Sequence, residues 1–143
     1  MSIFFDTSVL VPVFLADHPH HTASLGLFST CAPETASCAG HSLAEVYSTL
    51  TRLPAPHCAS PEQALKCIEE IAKRFQLISL DGPAYLAAIQ NAASDNIAGG
   101  TVYDFLIAIS GPHSGAAQIY TWNQRHFERF GSEVALRITL PRS

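Results

Sequence analysis

Short apolar segments alternate with longer amphipathic segments along the chain, and this alternation restricts the fold more than any other feature. Strand-like segments are predicted at residues 3–5, 35–39, 77–80, 118–121 and 135–140. Helix-like segments between them cover residues 9–15, 19–29, 43–52, 61–73, 83–93, 101–109 and 123–130. Such alternation is typical of a mostly parallel sheet with helices on both faces. We therefore predict an α/β fold, a three-layer α/β/α sandwich, formed by a single domain over residues 1–143.

The formal net charge of −4 excludes a generally polycationic nucleic-acid binder. A polyanionic ligand would have to be held by a local basic patch or by metal ions. The first residues carry no basic segment, and acidic residues at Asp6 and Asp17 interrupt the apolar stretch, so neither a signal peptide nor a membrane span is expected. The four cysteines form no C-x-x-C pair, which favours structural thiols over a zinc site. We expect a cytoplasmic protein.

Several polar residues stand where helices are predicted to begin. Thr7 and Ser8 form a capping pair before the first helix, and Ser60 precedes the helix that opens at Pro61. Ser42 precedes the third helix with Glu45 three residues later, the spacing of a capping box.

Four oxygen-bearing side chains are expected to converge at one edge of the sheet. Asp6 directly follows the first strand, and Asn123 comes two residues after the fourth. Glu45 and Asp104 lie in the first turns of two helices. In open parallel sheets, ligands bind beyond the carboxyl ends of the strands, where the strand order reverses. Each residue alone also has a structural explanation as a cap, a dipole partner or a turn residue.

Three neighbouring carboxylates would repel one another by about 4 kcal/mol per close pair, so a proton or a divalent cation must offset the repulsion. Asp104 in particular lies in a strongly apolar helix, where an unpaired carboxylate would be costly, and it is expected to have a partner. Carboxylate and carboxamide oxygens favour a hard ion, so we predict Mg²⁺ or Mn²⁺. An ion of this kind suits phosphodiester hydrolysis.

The motifs around these residues resemble a known family. The segments FFDTSVL at 4–10, HSLAEVY at 41–47 with LTRLP at 50–54, VYDFLIA at 102–108 and TWNQRHF at 121–127 resemble, in this order, the motifs of PIN-domain ribonucleases. The likeness spans nearly the whole chain and is closest to the VapC-type toxins of toxin–antitoxin pairs. It implies a PIN-like sandwich and a metal-dependent endoribonuclease that hydrolyses single-stranded RNA, leaving 5′-phosphate and 3′-hydroxyl ends.

The resemblance also implies roles for individual residues. Asp6, Glu45 and Asp104 would be the acidic metal ligands, with Asn123 in the fourth position. Relatives often carry Asp at that position, so the site would have one negative charge fewer, which bears on the binding of a second metal ion.

Three further residues, Thr7, Ser8 and Thr121, resemble polar neighbours that orient the carboxylates or contact phosphate. A simple capping role remains an alternative for Ser8 and more so for Thr121. The family likeness further implies a homodimer and a small antitoxin protein that enters the cleft, where an acidic site would attract an inserted arginine.

Arg52, Arg125 and Arg129 are the best candidates for contacts to RNA phosphates, although a solvated helix face explains them equally well. His126 is expected to pack or to donate a hydrogen bond rather than to act as a general acid. Core burial is favoured over base stacking for Trp122 and Tyr103.

Two other functions remain open. An aspartyl-nucleophile phosphatase also carries an Asp after its first strand, but a second Asp is usual two residues later, where this chain has Ser8. A catalytically weak PIN-like module that binds RNA or protein is the other alternative, and the presence of all three acids argues against it.

Overall fold

The computed structural model describes residues 2–142 of the chain. Within these residues, five short strands form one sheet: β1 Ile3–Phe5, β2 Ala36–Ala39, β3 Gln76–Ile78, β4 Gln118–Tyr120 and β5 Ile138–Thr139. The strand order is β3-β2-β1-β4-β5, and every neighbouring pair is parallel. The predicted parallel sheet is confirmed.

Helices connect the strands: α1 Thr7–Leu10, α2 His21–Phe28, α3 Gly40–Arg52, α4 Pro61–Arg74, α5 Gly82–Ser94, α6 Thr101–His113, α7 Gln124–Phe127 and α8 Ser132–Ala135. Two 3₁₀ helices, Val11–Phe14 and Glu128–Phe130, continue α1 and α7. In the part of the chain described, no helix combines the length and apolar character needed to cross a bilayer.

Two apolar cores lie on opposite faces of the sheet. Successive side chains of a strand point to opposite faces, and in β1 Phe4 belongs to one core and Phe5 to the other. Phe4 packs with residues of α5 and α6, including Ile107. Phe5 packs with residues of α1, α3 and α4, including Val46 and Ile71. The sheet is thus covered by helices on both sides, and the predicted α/β/α sandwich is confirmed.

The predicted capping box at Ser42 is wrong. Helix α3 begins three residues earlier than predicted, at Gly40, after an extended Ala39 that makes no side-chain capping bond. Ser42 therefore lies inside the first turn and Glu45 in the second, one turn later than predicted, so neither residue caps α3. The capping box that does form joins Ser60 and Gln63 at the start of α4.

Several predicted boundaries also differ. The expected helix at 9–15 tightens into a 3₁₀ turn at Pro12, which lacks the N–H that a regular helix needs. Residues 132–135 are helical, so the last strand is shorter than the predicted 135–140. Helix α6 extends past residue 109 to His113, with Pro112 in its last turn.

Helix α6 lies unusually close to β4. A Cβ atom added at Gly111 would lie 2.9 Å from both Cγ1 and Cδ1 of Ile119. Ile119 is fully buried in β4 and has little room to move. The missing side chain at Gly111 therefore allows the close packing that fixes α6, and with it Asp104, relative to the strand ends.

The strand order reverses at β1. The chain runs from β1 outward through β2 and β3, then returns to the other side of β1 to form β4 and β5. Ligand sites of open α/β sheets lie at such a reversal, beyond the carboxyl ends of the strands. In this fold the position lies just after Phe5 and Tyr120.

Candidate functional site

A cleft of about 640 Å³ opens at the reversal point of the sheet. We call it the acidic cleft; its lining residues are Asp6, Thr7, Ser8, Val11, His41, Ala44, Glu45, Ser48, Thr49, Arg52, Asp104 and Asn123. The structure thus brings together all four predicted ligand residues, although they come from four distant segments of the chain.

Asp6 lies at the base of the acidic cleft and is only 2% exposed. It is the N-cap of α1, with Oδ2 accepting a hydrogen bond from the backbone N–H of Ser8 at 3.3 Å. The Thr121 hydroxyl donates a second bond to Oδ2 at 3.0 Å. Burial raises the pKa of the Asp6 carboxyl from 3.8 to about 6, and the hydrogen bonds from Ser8 and Thr121 only partly oppose this. The nearby Asp104 carboxylate adds a small further increase to the pKa.

Thr7 connects α1 to α3 through Glu45. The Thr7 hydroxyl donates to Glu45 Oε1 at 2.7 Å and lies 2.8 Å from Oγ of Ser42. The Glu45 side chain is 29% exposed, with its other oxygen 3.8 Å from Nε2 of His41. These contacts fix the carboxylate at the edge of the acidic cleft.

Asp104, whose carboxylate was expected to be paired because its helix is strongly apolar, contacts His126. Its Oδ2 lies 3.1 Å from Nε2 of His126, and both side chains are partly exposed. The His126 ring also packs edge-on against Phe130, with centroids 5.1 Å apart. His126 therefore joins α7 to the first turn of α6 and holds the Asp104 carboxylate at the cleft.

Hydroxyl groups behind the cleft link Asp6 to the segment that carries Asn123. Thr121 is fully buried, and its Oγ1 accepts from the backbone N–H of Asn123 at 2.9 Å. Ser8 Oγ lies 3.3 Å from Thr121 Oγ1 and accepts from the backbone N–H of Trp122 at 2.9 Å. Both hydroxyls therefore bond directly to the segments that carry Asp6 and Asn123, a different role from capping α7, whose N-cap makes no side-chain bond.

The acids share the cleft without forming a tight cluster. Within residues 2–142, no three His, Cys, Asp or Glu side chains lie close enough to hold one ion together. The three carboxylates therefore lie around the acidic cleft and do not form one compact cluster, although Asp104 is near enough to Asp6 to raise the pKa of its carboxyl.

The three predicted arginines occupy different positions. Arg52 lines the acidic cleft. Arg125 lies beside it, in a shallow pocket of about 540 Å³ that the cleft joins at Asn123. Arg129 lies on the 3₁₀ helix that follows α7 and is not among the residues that line either cavity. Two of the three thus lie in the acidic cleft or directly beside it.

Two features of the acidic cleft were not predicted from the sequence. His41 lines the acidic cleft one turn before Glu45, an i to i+4 spacing that the helix period could have indicated. The contact between His126 and Asp104 spans 22 residues, and only the fold brings these side chains together.

The aromatic side chains near the site differ in exposure. Tyr103 is 54% exposed, so the expected core burial is wrong for this residue. Trp122 is half-buried; its indole stacks on His20 with centroids 3.7 Å apart, and its Nε1 donates to Ser24 at 3.0 Å.

Comparison with known proteins identifies the class of fold. A model of the PIN domain matches residues 3–132. A solved structure of VapBC2 from Rickettsia felis bound to a promoter DNA fragment superimposes with a TM-score of 0.66 at 16% identity, covering 99% of this chain and 100% of that one. The structure of VapC20 from Mycobacterium tuberculosis, described as a sarcin–ricin loop cleaving toxin, gives 0.68 at 17% identity, covering 87% and 92%. The fold is that of a PIN domain.

Relatives with similar sequences identify the group within the PIN-domain family to which the chain belongs. Ribonuclease VapC27 of Mycobacterium tuberculosis (strain ATCC 25618 / H37Rv) is 32% identical over 134 residues, covering 92% of this chain and 93% of the relative. Ribonuclease VapC40 of Mycobacterium tuberculosis (strain CDC 1551 / Oshkosh) is also 32% identical over 134 residues, covering 92% and 96%. The chain therefore belongs to the PIN-domain family, in its VapC group, and the predicted family is confirmed.

Proposed function

We propose that this VapC-type protein is an endoribonuclease that hydrolyses single-stranded RNA with Mg²⁺ or Mn²⁺, as the toxin of a type II toxin–antitoxin pair. One observation carries the proposal: Asp6, Glu45, Asp104 and Asn123, from four distant segments, all line the acidic cleft. The names of the relatives, which are ribonucleases, support RNA as the substrate.

The residues of the acidic cleft fit a hard divalent cation. They offer three carboxylates and one carboxamide, and no cysteine is among them. Mg²⁺ commonly binds through one or two carboxylates and keeps several waters, so acids spaced around a cleft suit it better than a closed cage would. Asp6, Glu45, Asp104 and Asn123 would hold the ion, some of them directly and the others through its bound waters, and the ion would supply water activation and charge neutralisation at the phosphate.

The chain's own residues would prepare this site by fixing the orientation of the carboxylates. Thr121 and Ser8 hold the Asp6 carboxylate, Thr7 holds Glu45 and His126 holds Asp104. Asn123 adds an oxygen without adding charge. Arg52 and Arg125 would contact the phosphates of the bound strand on either side.

The proposed partners follow from the same site. A small antitoxin that inserts an arginine into the acidic cleft would pair with its carboxylates and block it. The structure of VapBC2 from Rickettsia felis supports an antitoxin partner. A homodimer and a cytoplasmic location remain part of the proposal.

Cleavage assays on transfer RNA, messenger RNA and single-stranded DNA, with Mg²⁺, Mn²⁺ or EDTA, test the proposed function. We expect cleavage of RNA only, with either metal ion, and none in EDTA. Asp104→Asn should reduce the rate by about 100-fold or more, whereas the exposed Asp95→Asn serves as a matched control and should cleave at the parent rate. RNA cleavage by Asp104→Asn at the parent rate would contradict the site assignment.

A further inference from the structure

A second pocket, of about 260 Å³, adjoins the acidic cleft at the carboxyl ends of β2 and β3. His41 lines both cavities, and Tyr103 on the pocket rim directly precedes Asp104 of the cleft. Tyr85 of α5 completes the rim. We call this cavity the aromatic pocket; it begins where the acidic cleft ends.

The aromatic pocket combines an apolar floor with exposed rings. Ala39 and Ile107 on the floor are 3% and 1% exposed, whereas Tyr85 and Tyr103 on the rim are 46% and 54% exposed. The His41 and Tyr103 rings are nearly parallel, at 18°, with centroids 6.2 Å apart. Such rings present π-faces to a ligand at the mouth of the pocket.

The charges around the pocket restrict its ligand. Among the described residues that line it, none is Lys, Arg, Asp or Glu. A phosphate group would find no Lys or Arg there, and a metal ion would find no carboxylate. A flat, uncharged ring suits both the apolar floor and the exposed aromatic faces.

We propose that the aromatic pocket binds one unpaired nucleobase of the RNA strand whose phosphate lies in the acidic cleft, an inference that rests on the proposed ribonuclease function. A base held in a duplex is stacked and paired, whereas a base of a single strand can turn into the pocket. The aromatic pocket would thus select single-stranded RNA. Arg125 lies on the other side of the cleft, near Asn123, so base and phosphate contacts would flank the cleavage position.

Binding of single-stranded oligoadenylate to the full chain tests this assignment. An Asp6→Asn background, in which we expect no cleavage, keeps the RNA intact while equilibrium is reached. In this background, Tyr103→Ala should raise Kd about tenfold, as the loss of one stacked base predicts. Tyr103→Phe keeps the ring and should stay within about twofold of the background protein. Tyr47→Ala removes another exposed tyrosine, one that lines neither cavity, and should also stay within about twofold.

The salt dependence of Kd separates base stacking from charge effects. Stacking releases no counterions, so Tyr103→Ala should weaken binding without changing the slope of log Kd against log salt.

An unchanged Kd for Tyr103→Ala, with RNA still cleaved by the parent, would overturn the inference and leave the proposed function intact. If Tyr103→Ala instead converts a dimer to a monomer in sedimentation and binds RNA normally, the pocket is an interface between copies and the inference is wrong. If the parent neither binds nor cleaves single-stranded RNA, the proposed function fails and this inference fails with it.

Discussion

At the scale of single residues, the position of Asp6 at the start of α1 and its burial have opposite effects on the charge of its carboxyl group. It caps α1 and faces the acidic cleft, yet it is almost fully buried, and burial raises the pKa of its carboxyl to about 6. The unfolded chain has the ordinary pKa of 3.8. Between these values the folded protein binds more protons than the unfolded chain, so the contribution of Asp6 to stability is greatest at low pH and is lost as the pH rises through 6.

Asp6→Asn should therefore raise the free energy of unfolding of the metal-free protein by about 2–3 kcal/mol at pH 8. The gain should shrink toward zero near pH 4, where the folded protein already holds a protonated Asp6. Urea unfolding in EDTA at both pH values measures this difference. Asp95→Asn, at an exposed position, should show no such pH dependence. A gain of equal size at both pH values would show that the buried charge is not its source.

At the scale of elements, the strands and most helices were predictable because they depend on local periodicity. The predicted cap at Ser42 is wrong because local spacing alone cannot show the tertiary contact that Ser42 makes. Its spacing from Glu45 is that of a capping box, whereas in the fold its hydroxyl contacts Thr7 on α1. The chain positions of the four candidate ligands identified the sheet edge where they meet. Their spacing could not be predicted, nor could the contact of Asp104 with His126, because tertiary packing sets both.

Two glycines inside helices provide a test of the packing between α6 and β4. Gly111→Ala should lower the free energy of unfolding by about 1–3 kcal/mol, because the new Cβ would press against buried Ile119. Gly26→Ala in α2 meets no atom within 4 Å and should raise it by up to about 1 kcal/mol through helix propensity. Chemical denaturation of the two variants measures both effects. Stabilisation by Gly111→Ala would mean that α6 can move away from β4 at little cost.

At the scale of the whole molecule, a net charge of −4 must be reconciled with a polyanionic substrate. We propose that positive charge is concentrated at the site: divalent cations and Arg52 in the acidic cleft, with Arg125 beside it, would bind the RNA phosphates. RNA affinity should then depend on few cations and respond to single substitutions.

Arg125→Ala should weaken RNA binding and reduce the slope of log Kd against log salt by about one. Binding titrations at several salt concentrations measure the slope. The exposed Lys66→Ala, on α4 and away from the cleft, is the matched control and should leave the slope unchanged. An unaltered slope for Arg125→Ala would remove this residue from the proposed interface.

Mn²⁺ or Mg²⁺ should raise the melting temperature of the parent, by an amount equivalent to about 3 kcal/mol at a hundredfold excess over Kd. The increase should be smaller for Asp104→Asn, which removes one proposed ligand. Thermal melts at matched ionic strength separate binding from general salt effects. An identical increase in both proteins would place the metal elsewhere.

The separation of the cleft residues along the chain has a consequence for synthesis on the ribosome. Asp6 and Glu45 are made early, but β1 gains its second neighbour only when β4 is made, and Asn123 follows β4. Nascent chains therefore lack a complete cleft until residue 123 has emerged from the ribosome. A partner protein translated beforehand would then be present before the first complete cleft forms.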